Sequence, residues 1–377
     1  MKIDKYSAIL GSTIGFHEME GLTDERPLAS LPFDGKYRLI DFQLSNLANA
    51  GVRSVYGIFR GQNIRSIFDH IRSGREWGLN TLLSHYFLGF YNAGIGEETA
   101  DKDYYEQILT YLKRSGSDQT IYMSCDILCN IDLSQVIHLH NVSNRNMTVV
   151  YKKLPKEAIS SANDILEVDE SDTVTGNCGA FSGKDTEKMS AGIYVVNTPW
   201  LIEKMEQEVQ SEKPRKLRFL LRDLTPTSNT LAFEYTGYLA NISSVKAYYD
   251  ANMDMLDSHK FYSLLYSNQK VYTKVKNEES TYFDNASTVK NSQFASGSII
   301  KGNVDHSIIS RNCRIAENSS VINSVIFPKA IIGEGAVVEN AIVDKGVTIA
   351  PGVTIRGTKE NPVVVAKASE VVEDIIK

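Results

Sequence analysis

The chain contains no apolar run long enough to cross a bilayer, since a spanning helix needs about 20 consecutive apolar residues. Its first residues, MKIDKYSAIL, carry neither the apolar core nor the small-residue cleavage site of a secretory leader. No membrane partner and a cytoplasmic location are therefore expected. Cysteine is scarce: only Cys125, Cys129, Cys178 and Cys313 occur, and none sits in the paired spacing of a zinc site. They read as buried, reduced thiols. Positive charge is also short. Lys and Arg number 40 against 46 Asp and Glu, giving a net charge of −6, and the cations are scattered. Nothing in that pattern calls for a nucleic-acid partner.

What is present is a globular composition, 42% hydrophobic and 23% charged. At 377 residues the chain exceeds one ordinary core, so two domains are expected. The organising stretch is RPLASLPFDGKYRLIDFQLSNLANAGVRS (26–54). Its Pro, Gly and charged first half reads as a shaped loop. Ile40, Phe42, Leu44, Leu47 and Ala48 then follow a helical spacing that Gly51 closes. With strands at YSAIL (6–10) and RSVYGIF (53–59) this makes a βαβ unit, whose ligands bind in the loop after the first strand.

Further helices are expected within 61–80, over 101–116, near 136–141, and over 199–210, 217–226 and 243–256. Strands are expected at 120–132, 147–154 and 190–197, with a hairpin over 230–242 and an irregular excursion over 81–100. Alternation of this kind over some 250 residues indicates an α/β, Rossmann-like domain with a mostly parallel sheet.

From about 289 the period changes. Val325, Ile331, Val337, Val343, Ile349 and Ile355 recur every six residues, preceded by Ile309, Ile315 and Val321 in another register. This fits neither helix nor hairpin. It is the mark of a hexapeptide β-helix, which buries its apolar row only by stacking coils. The expected organisation is 1–256 for the α/β domain, 257–288 for a linker and 289–377 for the solenoid.

PFDGKYRLIDFQLSN (32–46), HIRSGREWGL (70–79), SAGIYVVN (190–197) and KAYYDANMDML (246–256) closely resemble segments of the ADP-glucose pyrophosphorylases. The likeness implies a nucleotidyltransferase domain followed by a left-handed β-helix over nearly the whole chain. Within that family the chain looks like the noncatalytic, GlgD-type subunit, because the frame survives and the chemistry is replaced. Nucleotidyl transfer needs a glycine cradle for the triphosphate, cations at the reacting phosphorus, and carboxylates for Mg²⁺.

The family's GGxGTRLxxLT loop reads GSTIGFHEMEGLT (11–23), without a Gly-Gly pair and with Glu18 at the arginine position. Its lysine falls on Leu28. Of its two metal-binding aspartates one is matched by Asp126 in SCDIL, and the other is replaced by Asn241 in NISS. Mg²⁺ is thus implied only as an accompaniment of residual nucleotide binding. Ser190 matches a sugar-phosphate serine. Arg26 and Arg38 match cations that bind effectors in relatives, Lys36 is a further basic residue there, and Asp24, Asp34 or Asp41 are candidate partners for the arginines.

Loss of one charge-stabilising group costs about 10²–10³ in rate. Several lost together imply a deficit on the order of 10⁴ or more. The resemblance therefore implies a catalytically impaired regulatory subunit that assembles with the catalytic homologue, as a heterotetramer, and answers to a sugar-phosphate or nucleotide effector. An active adenylyltransferase with a divergent site and an effector-binding module are the alternatives. His138 and His140 read as a solvated helix end. His306 sits where hexapeptide acyltransferases carry a catalytic His, but that class leaves the first 255 residues without a role.

Overall fold

A computed structural model of the chain describes residues 5–61, 64–81, 84–92, 94, 96–159, 163–178, 184–266 and 269–377. It forms two compact units that do not follow chain order. One comprises Met1–Gly15, Ile40–Asn241 and Leu264–Tyr272; the other comprises Phe16–Leu39, Ile242–Ser263 and Thr273–Lys377. This differs from the division at 256 and 289. Phe16–Leu39 and Ile242–Ser263 supply buried apolar side chains to the second unit, among them Leu31, Phe33, Tyr248 and Met255. The solenoid ladder also begins at Tyr282–Phe283, inside the expected linker, where exposed aromatic residues mask its pattern.

The first unit is built on a nine-stranded sheet. Tyr6–Ser12 lies between Ser54–Arg60 and Gln119–Ser124, parallel to both, and His85–Tyr91 extends the parallel half as its edge strand. The strand Thr186–Asn197 joins antiparallel to Gln119–Ser124 and also pairs with Met147–Pro155. Its register shifts between Ser190 and Tyr194, where Gly192 takes φ 60°. A bulge of this kind bends a strand and re-aims a side chain.

The helix Leu39–Asn49 stops before Gly51, which takes φ 76°, as expected. The helix Lys102–Ser115 is capped by the Asp101 carboxylate on the Tyr104 amide and ends at left-handed Gly116. Two expectations are corrected. The excursion over 81–100 contains the edge strand His85–Tyr91. Leu231–Glu234 and Leu239–Asn241 do not form a hairpin, because the first pairs with Met147–Pro155 and the second with Ile127–Cys129.

The second unit contains the β-helix, with three parallel ladders as its sides. Val304, Val321, Val338 and Ile355 stand in register, seventeen residues apart, and are buried. Each of these coils thus has sides of six, six and five residues, so a strict six-residue row drifts out of the core. Ile331 is 40% exposed, and its neighbour Ile332 faces inward instead. Corners take left-handed conformations at Asn291, Asn312, Asn323 and Asn340, which Asn tolerates well. His306 is another corner, at φ 45°, bonded to the Asn291 side chain at 2.8 Å.

Packed in the same unit is a short antiparallel ladder, Pro32–Phe33 with Tyr37–Arg38, turned by Asp34 and Gly35, both left-handed. The helix Val245–Met253 holds it. Tyr248 donates its hydroxyl to the Pro32 carbonyl, and the Asp34 amide donates to Asn252 Oδ1 at 3.1 Å. Tyr249 donates to the Asn323 carbonyl of a solenoid corner at 2.6 Å.

Candidate functional site

In a parallel sheet ligands bind beyond the carboxyl ends of the strands. There the first unit brings Gly11, Ser124 and Asp126 together. The Cys125 amide donates to the Gly11 carbonyl at 3.0 Å. Gly11 has no room for a side chain, because a Cβ would lie 2.3 Å from Tyr122 Oη. Asn241 stands opposite Ile127, and Asp126 is in the turn just before it, so the two expected metal positions lie at the same end of that strand pair.

Asp126 is buried and fully engaged. Ser124 Oγ donates to its Oδ1, and Arg218 donates to its Oδ2 at 2.7 Å and to Ser124 Oγ at 3.2 Å. Burial disfavours the Arg218 charge, but Asp126, Tyr122 and Asp164 more than offset that and hold the guanidinium protonated. Asp164 has its pKa raised by burial, against the pull of Arg218 and Arg222. Lys216, also buried, donates to the carbonyls of Glu97 and, at 3.5 Å, Thr13. A lysine ammonium thus sits against the loop that follows the first strand.

Ser190 is buried in the long strand; its Oγ accepts from the Gly192 amide at 3.3 Å, and its amide donates to the Asp164 carbonyl. Arg218, Arg222, Lys216 and Asp164 were not anticipated as site residues. Arg218 and Arg222 stand four apart on the helix Leu217–Leu224, the spacing of one helical face, and that was the available signal.

Magnesium prefers several oxygen ligands in octahedral array. Asp126 already answers to Arg218 and Ser124. Asn241 offers a neutral amide whose buried Oδ1 meets no hydrogen-bond donor among the described residues. No group of three His, Cys, Asp or Glu side chains that could hold a metal occurs among the described residues. These residues do not fit a magnesium centre, and Arg218 provides the positive charge there.

The remaining candidates lie in the second unit. Glu18 is exposed in the short helical turn His17–Met19, and Leu28 is buried in another, Leu28–Ser30. Arg26 is paired with none of the nearby carboxylates. It donates to both oxygens of Asp344, at 2.8 and 2.7 Å, with both side chains buried. Lys36 is exposed, its Nζ 5.3 Å from the Tyr37 ring centre. Arg38 contributes to a crowd of cations. Lys345 is lowered by burial and then by Lys329, Arg38, Lys367 and Arg26. Lys276 is lowered by burial and then by Arg311, with Arg38 among the further causes.

Asp34 has a buried Oδ1 without a hydrogen-bond partner among the described residues. Burial raises its pKa from 3.8 to about 8, with Lys36 opposing. The folded state therefore holds this proton more tightly than the unfolded one. Its contribution is complete below pH 3.8 and is lost as pH rises through about 8. The slope is up to about 1.4 kcal/mol per pH unit. Asp34→Asn, which suits a left-handed turn equally well, should flatten that slope and be the more stable protein at pH 8. Urea unfolding at several pH values measures it.

The other titratable singletons are structural. His140 is buried between Thr148 Oγ1 and Asn197 Oδ1, at 2.8 and 3.1 Å, and burial lowers its pKa, so it is not a solvated helix end. Cys125, Cys129 and Cys313 are buried and their thiol pKa values are pushed up by burial; the Cys178 side chain lies outside the described residues.

Comparison with known proteins agrees with this architecture. Residues 18–258 match the nucleotidyl transferase family, and residues 273–368 match the GlmU-like C-terminal hexapeptide family. The glycogen biosynthesis protein GlgD of Bacillus subtilis (strain 168) is 29% identical over 365 residues, covering 95% of each chain. The glucose-1-phosphate adenylyltransferase of Bacillus mycoides (strain KBAB4) is 29% identical over 361 residues, covering 90% of this chain and 92% of its own. That of Bacillus cereus (strain ATCC 10987) is equally similar. The resemblance read from the motifs, and the pairing of a nucleotidyltransferase domain with a left-handed β-helix, are thereby borne out. No helix among the described residues is long and apolar enough to cross a membrane.

Proposed function

The chain belongs to the nucleotidyl transferase family, and we propose that it serves there as a regulatory, catalytically impaired subunit of ADP-glucose pyrophosphorylase. It assembles with the catalytic homologue, as a heterotetramer, and tunes ADP-glucose synthesis from ATP and glucose 1-phosphate in glycogen biosynthesis. The observation that carries this reading is the Arg218–Asp126 pair, which sets a fixed cation against the one carboxylate that matches a metal-binding position. Asn241, Glu18 and buried Leu28 support it, because each replaces a charge the reaction requires. A subunit without turnover acts on its partner by favouring one of two assembled states, through contacts that differ between them.

A compatible second reading is that the chain binds an anionic effector, a sugar phosphate or nucleotide. The crowding of Lys345 and Lys276 with Arg38 favours it, since a bound anion relieves repulsion among like charges. Arg26 is already neutralised by Asp344, whereas Lys36 is exposed and Arg38 lies close enough to depress both Lys345 and Lys276.

The test is ADP-glucose formation from ATP, glucose 1-phosphate and Mg²⁺ by this chain, by a catalytic homologue, and by their mixture, with and without added fructose 1,6-bisphosphate. The expected result is a silent chain alone and a mixture that exceeds the homologue. Turnover by the chain alone at about 1–10³ s⁻¹, the ordinary range for enzymes, overturns the proposal. So does a mixture that equals the homologue.

A further inference from the structure

A second concavity lies in the first unit, at the opposite end of the sheet from Asp126. It has a volume of about 340 Å³, within the range of small-molecule sites. Its floor is made where Ser54 and His85, the first residues of adjacent parallel strands, stand side by side. Its wall is the last two turns of the helix Lys102–Ser115, which present Gln107, Thr110, Tyr111 and Arg114 at the spacing of one helical face.

The face of that helix that lies on the sheet is apolar, with Tyr104, Tyr105, Ile108, Tyr111 and Leu112 buried. The concavity opens along its flank, where half-buried Gln107 and exposed Thr110 and Arg114 are polar. The other surroundings are aromatic. Tyr56 and Tyr111 stack with ring centres 5.2 Å apart, and Phe87 meets Tyr111 edge-on at 6.1 Å. Both tyrosine hydroxyls are already satisfied within the protein. Tyr56 donates to Gln107 Oε1 at 3.0 Å, and the Tyr111 and Ser54 hydroxyls lie 3.0 Å apart. The rings therefore offer apolar surface to the cavity rather than hydroxyls. Gly89 is fitted to this arrangement, because a Cβ there would lie 1.8 Å from Tyr56 Oη. Phe87 remains 50% exposed at the mouth.

We propose that this cavity binds a small aromatic monocarboxylate, of one or two fused rings. Flat rings gain most from stacked and edge-on aromatic neighbours. Arg114 supplies one full positive charge, in the last turn of a helix whose carboxyl end carries roughly half a negative charge. That balance accommodates one anionic charge and not two, which favours a carboxylate over a phosphate monoester. The planar guanidinium also pairs with a carboxylate through two parallel hydrogen bonds. The site is independent of the regulatory reading, since it shares no residue with the Asp126 region or with the cation crowd of the second unit.

The experiment is isothermal titration of the full chain with indole-3-acetate, indole and acetate. Indole-3-acetate is expected to bind with a dissociation constant of about 1 mM or tighter, indole more weakly, and acetate not at all. Arg114→Gln should weaken indole-3-acetate about tenfold or more and leave indole unchanged. Phe87→Ala should weaken both ring compounds. Arg114 is exposed and Phe87 is half exposed, so both variants are expected to fold, and their melting by circular dichroism checks that. Absence of saturable indole-3-acetate binding at millimolar concentration overturns the proposal, as does binding that neither substitution alters.

Discussion

Arg218→Met is expected to destabilise the first unit by about 3–5 kcal/mol, the usual cost of leaving one member of a buried ion pair alone. The Arg218 side chain is 11% exposed and that of Asp126 is 5% exposed, so water cannot replace the lost partner. Methionine keeps most of the arginine stem, which separates loss of charge from loss of packing. Asp126→Asn combined with Arg218→Met should recover part of the deficit, because the carboxylate bonded to the lost cation is gone too and Asp164 keeps the pull of Arg222. The same variant tests the argument about metal. With the guanidinium gone, the oxygens it engaged on Asp126 and Ser124 are released, and millimolar Mg²⁺ should raise the melting temperature of Arg218→Met but not of the parent. Urea unfolding and thermal melts with and without Mg²⁺ give both answers. A loss below about 1 kcal/mol, the ordinary value of an exposed pair, would falsify the assignment of Arg218 as the fixed cation.

Asp344→Ala should do comparable damage to the second unit, again about 3–5 kcal/mol. Arg26 is 7% exposed and Asp344 is 1% exposed, and the guanidinium carbon also stands 5.7 Å from the Phe327 ring centre. Removing the carboxylate strands a cation that cannot lose its proton. Arg26→Met should cost less when Asp344 is also changed to Leu, and the double variant should lie near the parent, since apolar replacement of a buried pair is often neutral. The functional corollary separates the arginines. Arg38→Ala should weaken any response to an anionic effector, whereas variants of Arg26 should lose stability and leave effector affinity unchanged among the molecules that remain folded.

The sequence made the framework legible wherever local pattern and structure share a period. The helix after Leu39, its stop at Gly51 and the strand around Ser190 follow from local pattern, though not that strand's antiparallel direction. The edge strand His85–Tyr91 did not, because HYFLGFY carries aromatic residues on both faces and shows no alternation. The six-residue row marked the solenoid correctly but misplaced Ile331, since the coils on either side of it close in seventeen residues and only the ladder reveals which side has five. At the candidate site, the aspartate and asparagine positions came from family likeness. Arg218 escaped notice because LRFLLRDLTP reads as an ordinary amphipathic helix, and nothing local says which carboxylate its cation will meet. Arg26 shows the same limit. Its partner lies 318 residues away, and Asp24, Asp34 and Asp41 looked equally suitable.

That separation bears on how the protein is made. Phe16–Leu39 leaves the ribosome well ahead of Asp344, which follows Arg26 by 318 residues. At roughly 5–20 residues per second, Arg26 waits on the order of a quarter of a minute to a minute for its counter-charge, with Leu31 and Phe33 uncovered meanwhile. The first unit has its strands well before that. Nascent chains halted before residue 344 should therefore engage chaperones through the Phe16–Leu39 segment, and release should coincide with completion of the solenoid rather than of the sheet.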